Sequence, residues 1–276
     1  MSMAAEGALS HMNFSIIGTL ILFGGVFNPS NGHVAVAFEP SAVQKVSSKV
    51  NVDMVEIRAG EFLMGGSHGN EQPRRQVYLD AYLIGRTAVT VAQYKQYCAD
   101  AGIDFSTFKV PNWGWIDTHP MVNVSWQQAR DFCKWAGGDL PTEAQWEKAA
   151  TGTDGREYPW GNEFDPSRMQ CSKTDFGDAK STAPVGSFPS GKSPFGCLDM
   201  EGNVWQWCRD YYVDGYGGQP DRNPTGPESG RFHTLRGDGW AMVGPQAFRS
   251  HGRWQGNPDR QDDYIGFRLV RPLRSR

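Results

Sequence analysis

The chain of 276 residues is 39% hydrophobic and 21% charged, with a formal net charge of −3. Such a length holds one large domain or two small ones with a genuine core. The lack of any basic run argues against a nucleic-acid partner, whose phosphates need a cationic stripe. Ten Trp, 15 Phe and nine Tyr stand beside 33 Gly and 17 Pro, which predicts a turn-rich body tied together by large aromatic anchors.

In chain order, residues 1–11 read as an expression leader ending in a cloning scar and carry no fold information. Phe14 to Phe27 is apolar but too short to span a bilayer, and it is followed by Asn28-Pro29-Ser30 and by Ala35-Val36-Ala37. Residues 12–37 therefore resemble a secretory signal that lacks a basic start, with a strand and turn packed on the domain as the competing reading. Export to the periplasm or cell surface is expected, with the cytoplasm as the alternative, and no membrane span. Residues 38–51 read as a linker and 52–276 as the domain. The five cysteines form no Cys-x-x-Cys pair, so they are expected to fill the core, with one or two disulfides if the protein is exported.

Met54–Ile57, Gly60–Gly65, Val77–Leu79 and Tyr82–Ile84 look like short strands, the first two joined at a glycine turn. Three helices carry matching start signals. Thr90 with Gln93, Ser125 with Gln128 and Thr142 with Gln145 each form a capping box ahead of an apolar stripe, and Gly102, Gly137-Gly138 and Gly152 supply the stops. Each cap is worth about 1 kcal/mol over alanine. Beyond Gly152 no helical periodicity is present, and turn pairs such as Asp154-Gly155 and Gly161-Asn162 dominate. Ile265–Val270 alternates like a central strand.

Several ordered motifs remain. They are Ala59–Gly65, His119–Trp126, Leu140–Glu147, Tyr158–Asn162, Ala183–Gly186, Gly202–Trp207 and Arg236-Gly237-Asp238-Gly239-Trp240, followed by Asn257-Pro258-Asp259 and Ile265-Gly266-Phe267-Arg268. Together they resemble the sulfatase-modifying-factor family of the formylglycine-generating enzyme. That resemblance implies an α+β fold of the C-type-lectin type, with little regular secondary structure, a few short helices and small antiparallel sheets. Trp126, Trp146, Trp160, Trp205, Trp207 and Trp240 are expected as core anchors rather than ligand contacts.

The resemblance also sets two functions against each other. In the enzyme, a cysteine pair after an Arg-Gly-Gly-Ser-Trp motif binds copper and activates oxygen; the corresponding positions here are about Met242 and Ala247, and no cysteine follows Cys208. A thioether is a weak ligand and alanine offers no donor, so formylglycine formation is not expected. His68, His119, His233 and His251 are scattered, and no Gly-x-Ser-x-Gly elbow or phosphate loop is present. An oxidative maturation enzyme that works without the cysteine pair is the alternative. The family's calcium site, by the same resemblance, falls on Gly202, Val204 and Gln206, where Gln206 replaces a glutamate and Asp199 or Glu201 could make up the missing charge.

The second branch of the resemblance is the variable proteins of diversity-generating retroelements, whose ligand-binding face lies between the same two C-terminal motifs. Here that stretch is Ala241 to Tyr264. Its candidate contacts are Met242, Val243, Gln246, Phe248, Ser250, His251, Trp254, Gln255, Arg260, Gln261, Asp262, Asp263 and Tyr264, with Trp254 as the leading hot spot. Adenine-directed mutation of asparagine-type codons ending in a pyrimidine cannot yield Met, Gln or Trp, which counts against recent diversification. The expected partner is a protein or small molecule of unknown identity, bound without a certain cofactor.

Overall fold

The computed structural model describes residues 49–172 and 179–273. The leader, the secretory-signal segment and most of the linker lie outside the described residues.

Strand β1 (Met54–Ile57) and strand β2 (Gly60–Met64) follow one another at Gly60 but do not pair together. Instead β2 pairs antiparallel with β3 (Arg75–Leu79), Phe62 opposite Val77, and β1 pairs with β4 (Tyr82–Gly85), Val55 opposite Ile84. Each pairing buries the apolar side of its strands, because side chains two apart share a face. A last strand, β9 (Val270–Pro272), joins β4, so the first and last strands of the domain lie in one sheet, ordered β1-β4-β9.

The helices form where the capping boxes predict: α1 (Val91–Ala101), α2 (Trp126–Trp135) and α3 (Glu143–Thr151). In all three the cap hydroxyl accepts the N–H of the third helical residue while that residue's glutamine oxygen accepts the cap N–H, satisfying two otherwise orphaned donors. Gly102 ends α1 at φ 69°, a left-handed turn that favours glycine.

The third sheet, which positions the candidate site, runs β7-β6-β5-β8: β5 (Trp205–Tyr211), β6 (His233–Arg236), β7 (Arg253–Gly256) and β8 (Ile265–Phe267). Two features depart from expectation. Strand β8 pairs with β5 in parallel, Trp205 opposite Ile265, and it lies at the sheet edge rather than at its centre. The stretch 265–270 is also split, because the fully buried Arg268 donates to the carbonyl oxygens of Gly85, Arg86, Leu198 and Asp199 at 2.9–3.3 Å. A guanidinium in the interior needs acceptors in several directions, and the backbone turns out of β8 to supply the path into β9.

Two large apolar clusters make most of the core, beside two smaller ones. One gathers Tyr94, Phe132, Trp207 and Phe267 between α1, α2 and the third sheet; the other gathers Phe62, Tyr82, Trp146 and Met200 around α3. Trp146 and Trp207 are fully buried and Trp126 nearly so, while Trp160, Trp205 and Trp240 are half-buried. All five cysteines are buried and none is disulfide-bonded. At Gly256 a Cβ would lie 2.4 Å from the Trp207 ring, so glycine there lets β7 cross the core tryptophan.

Candidate functional site

Segment 241–264 has an inward and an outward face. Phe248, Ser250 and His251, expected as surface contacts, are 0%, 0% and 1% exposed. Phe248 packs with Tyr158, Met169 and Cys171, which is where an aromatic ring gains most from leaving water. Ser250 and His251 are drawn in by their backbone: the Arg236 guanidinium donates to the carbonyl oxygens of Ser250, His251 and Gly252 at 2.9–3.0 Å.

That arginine belongs to a buried ionic network. Glu143 and Glu147, four residues apart on α3, share a face. Arg253 on β7 holds Glu143 through two parallel hydrogen bonds of 2.7 Å and also donates to the carbonyl oxygens of Asn70, Val213 and Gly215. Arg236 on β6 pairs with Glu147, which further accepts the Gly65 N–H at 2.6 Å and His251 Nδ1 at 3.0 Å. Burial pushes the Glu147 carboxyl up, but Arg236, His251 and the Gly65 N–H outweigh it and bring the pKa down to about 2. Burial disfavours charge on His251, and the Glu147 carboxylate overcomes this and raises its pKa. Arg249 adds a second two-pronged pair with the buried Glu71, at 2.6 and 2.9 Å. Segment 241–264 is thus fastened from beneath by three arginines.

Two buried carboxyls stand apart from these pairs. The Gly202 N–H donates to the Gly237 carbonyl at 2.8 Å, which brings Glu201 and Asp238 together. Both Glu201 oxygens, one Asp238 oxygen and the Ser250 hydroxyl make no hydrogen bond among the described residues. Burial raises the Glu201 pKa to about 8, and burial together with the charge of Glu201 raises that of Asp238 well above the usual carboxylate range. The protonated form of each is thereby favoured.

The outward face carries Trp254, 56% exposed, on edge strand β7. On one side of it lies a cleft of about 410 Å³ walled by Trp205, Leu235, Met242, Tyr264 and Ile265; on the other, a shallower one of about 440 Å³ bordered by Phe232, Gln255, Asn257 and Asp259. Trp254 and Arg260 line both. The structure therefore brings Met242, Trp254, Gln255, Arg260 and Tyr264 together. Asp262 stands behind Arg260 as its ion-pair partner. Gln261 instead bonds the Gln128 side chain at 3.1 Å, Asp263 offers its backbone oxygen to Trp240 Nε1, and neither Gln246 nor Val243 lines either of these two clefts.

The expected calcium ligands do not fit that ion. Gln206 is fully buried, and its amide oxygen already accepts from Trp146 Nε1 at 2.9 Å and Arg268 Nε at 2.5 Å, while its nitrogen donates to the Asp199 carbonyl. A guanidinium occupies the place a cation would need, and the Gly202 carbonyl accepts the Val204 N–H. Among the described residues no three of His, Cys, Asp or Glu converge as metal ligands. Copper fares no better: Met242 lines the cleft and Ala247 is half-buried beside Phe248, and neither can act as a thiolate.

No helix of the described residues is long and apolar enough to cross a membrane. Residues 39–273 match the family described as the sulfatase-modifying factor enzyme 1-like domain. The chain is 30% identical over 301 residues to the formylglycine-generating enzyme of Streptomyces coelicolor, covering 86% of this chain and 94% of that enzyme. It is 31% identical over 245 residues to the serine/threonine-protein kinase pkn1 of Chlamydia caviae, covering 80% of this chain and 38% of the kinase, so it spans well under half of that relative. Among solved structures it is similar to PvdO from Pseudomonas aeruginosa, with a TM-score of 0.69 at 26% identity over 80% of this chain and 94% of that one. Variable protein 1 of Treponema denticola shares the fold, with a TM-score of 0.66 at 24% identity over 80% and 95%. The fold is that of the formylglycine-generating enzyme, a variant of the C-type-lectin fold, and the chain belongs to the sulfatase-modifying factor enzyme 1-like family.

Proposed function

We propose that this protein is a recognition module that binds a protein or small-molecule ligand at the cleft centred on Trp254, and that it does not make formylglycine. The observation that carries the reading is the contrast at β7. Arg253 is locked inside the ionic network while its neighbour Trp254 stands 56% exposed between two clefts. A tryptophan flanked by two clefts offers a large contact surface, and one held on a rigid strand loses little entropy on binding. The missing thiolates at Met242 and Ala247 remove the chemistry that the cysteine pair supplies.

A second reading, an oxidative maturation enzyme that works without the cysteine pair, is favoured by the similarity to the formylglycine-generating enzyme over nearly its whole length. The claim that no formylglycine is made is tested by incubating purified protein with a cysteine-containing sulfatase peptide, copper and oxygen. Peptide recovered unmodified by mass spectrometry supports that claim, and conversion of its cysteine to formylglycine overturns it.

A further inference from the structure

We propose that the cleft beside Trp254 takes a planar aromatic ring bearing a carboxylate, supplied either by a small aromatic acid or by the C-terminal aromatic residue of a peptide. This rests on the reading of segment 241–264 as a binding face and adds the chemistry of what it binds. The cleft of about 410 Å³ has the size of a small-molecule site. Trp205, Trp254 and Tyr264 give it three aromatic walls, with Leu235, Met242 and Ile265 completing an apolar lining, which favours a flat ring that can stack or meet edges. Gly239 keeps it open: a Cβ there would come within 3.1 Å of Tyr264 Cβ and 3.3 Å of the Trp205 ring.

Arg260 supplies the charge. Its Nε is held by the Asp262 carboxylate and its Nη2 by the Tyr264 hydroxyl, and the guanidinium lies over the Tyr264 ring at 5.6 Å. Two of its three nitrogens are therefore anchored, while Nη1 has no partner among the described residues and the side chain is 40% exposed at the rim. A guanidinium aimed in this way has paid its ordering cost before a ligand arrives. Asp262, the nearest carboxylate, is occupied by Arg260 itself. A cationic ligand gains from the aromatic faces but meets the Arg260 guanidinium at the rim, and a neutral ring leaves Nη1 to water. A ring with a carboxylate uses both features.

The test is titration of the full-length protein with two matched pairs, indole-3-acetate against indole-3-acetamide and N-acetyl-tryptophan against its amide, followed by calorimetry. At least one acid should bind about tenfold more tightly than its amide, and the preference should shrink as salt rises. Tighter binding of N-acetyl-tryptophan identifies the peptide terminus as the source, and tighter binding of indole-3-acetate the free acid. Arg260→Gln should abolish the acid preference while leaving amide affinity within about threefold, and Trp254→Ala should weaken both members of a pair about tenfold or more. Equal affinity of acid and amide for the wild type, with both lost in Trp254→Ala, overturns the carboxylate assignment and leaves the binding face standing. Binding that ignores Trp254, or no binding by any of the four compounds, overturns both.

Discussion

The two faces of segment 241–264 obey different physics. Phe248, Ser250, His251 and Arg253 point inward, where the α3 glutamates hold His251 and Arg253 and the Arg236 guanidinium holds the Ser250 and His251 carbonyls. Met242, Trp254, Gln255 and Arg260 point outward, where large side chains are left open to water. The lesson is a division of labour along one short stretch: buried charge fixes the main chain, and the residues between the fixed points are free to serve a ligand. Because α3, β6 and β7 supply the fixed points, the outward face is displayed on the scaffold rather than on a loose loop.

The comparison breaks first if the inward face proves dispensable. Arg236→Ala takes the guanidinium from the buried Glu147 carboxylate, which keeps His251 and the Gly65 N–H, and releases three carbonyls, and it should cost about 3–5 kcal/mol in urea unfolding; a cost near zero means the network does not hold the segment. Phe248→Ala should cost a similar amount, about 3–5 kcal/mol, through the cavity it leaves, whereas a surface contact of the kind the sequence suggested would lose far less. Trp254→Ala, by contrast, should leave stability within about 0.5 kcal/mol while removing ligand binding, and a large fall in melting temperature would place Trp254 with the inward set.

pH sharpens the same contrast. Glu201, raised to about 8 by burial, and Asp210, raised to about 7 by burial and by the charge of Glu143, bind protons in the folded state that they release when unfolded. His251 has its pKa raised and acts in the same direction. For all three the stabilisation is complete below the unfolded-state pKa and is lost as pH rises through the folded value, about 7 for Asp210 and about 8 for Glu201. Glu147, lowered to about 2, stabilises above its usual value near 4.5 and loses this as pH falls toward 2. The melting temperature should therefore be higher at pH 5.5 than at pH 8.5, and Glu201→Gln should flatten the alkaline limb. A melting temperature that rises from pH 5.5 to 8.5 would contradict the buried, unpaired state of Glu201.

The helices were legible because their signals are local: a hydroxyl three residues ahead of a glutamine, then an apolar stripe, then glycine. The sheets were less so. Strands β1 and β2 look like a hairpin in sequence, yet each finds its partner beyond a loop, and nothing in Ile265–Val270 reveals that Arg268 must leave the ladder to reach four carbonyls. At the site, Trp254 is exposed, as its polar neighbours suggest. His251 and Ser250 have equally polar neighbours and are buried, because their placement depends on an arginine 14 and 15 residues away. The network itself had one visible trace, two glutamates four apart flanking a core tryptophan on α3. Recognising it required knowing that Arg236 and Arg253 lie opposite one another on β6 and β7, a pairing that local pattern does not encode.

Ligand binding at the outward face around Trp254 can be read by a nuclear magnetic resonance screen of small aromatic and peptide fragments, with the Trp254 indole N–H signal assigned by its loss in Trp254→Ala. The tightest-binding fragments should shift this signal together with those of Met242, Arg260 and Tyr264. Fragments that bind while leaving all four unmoved would refute binding at this face.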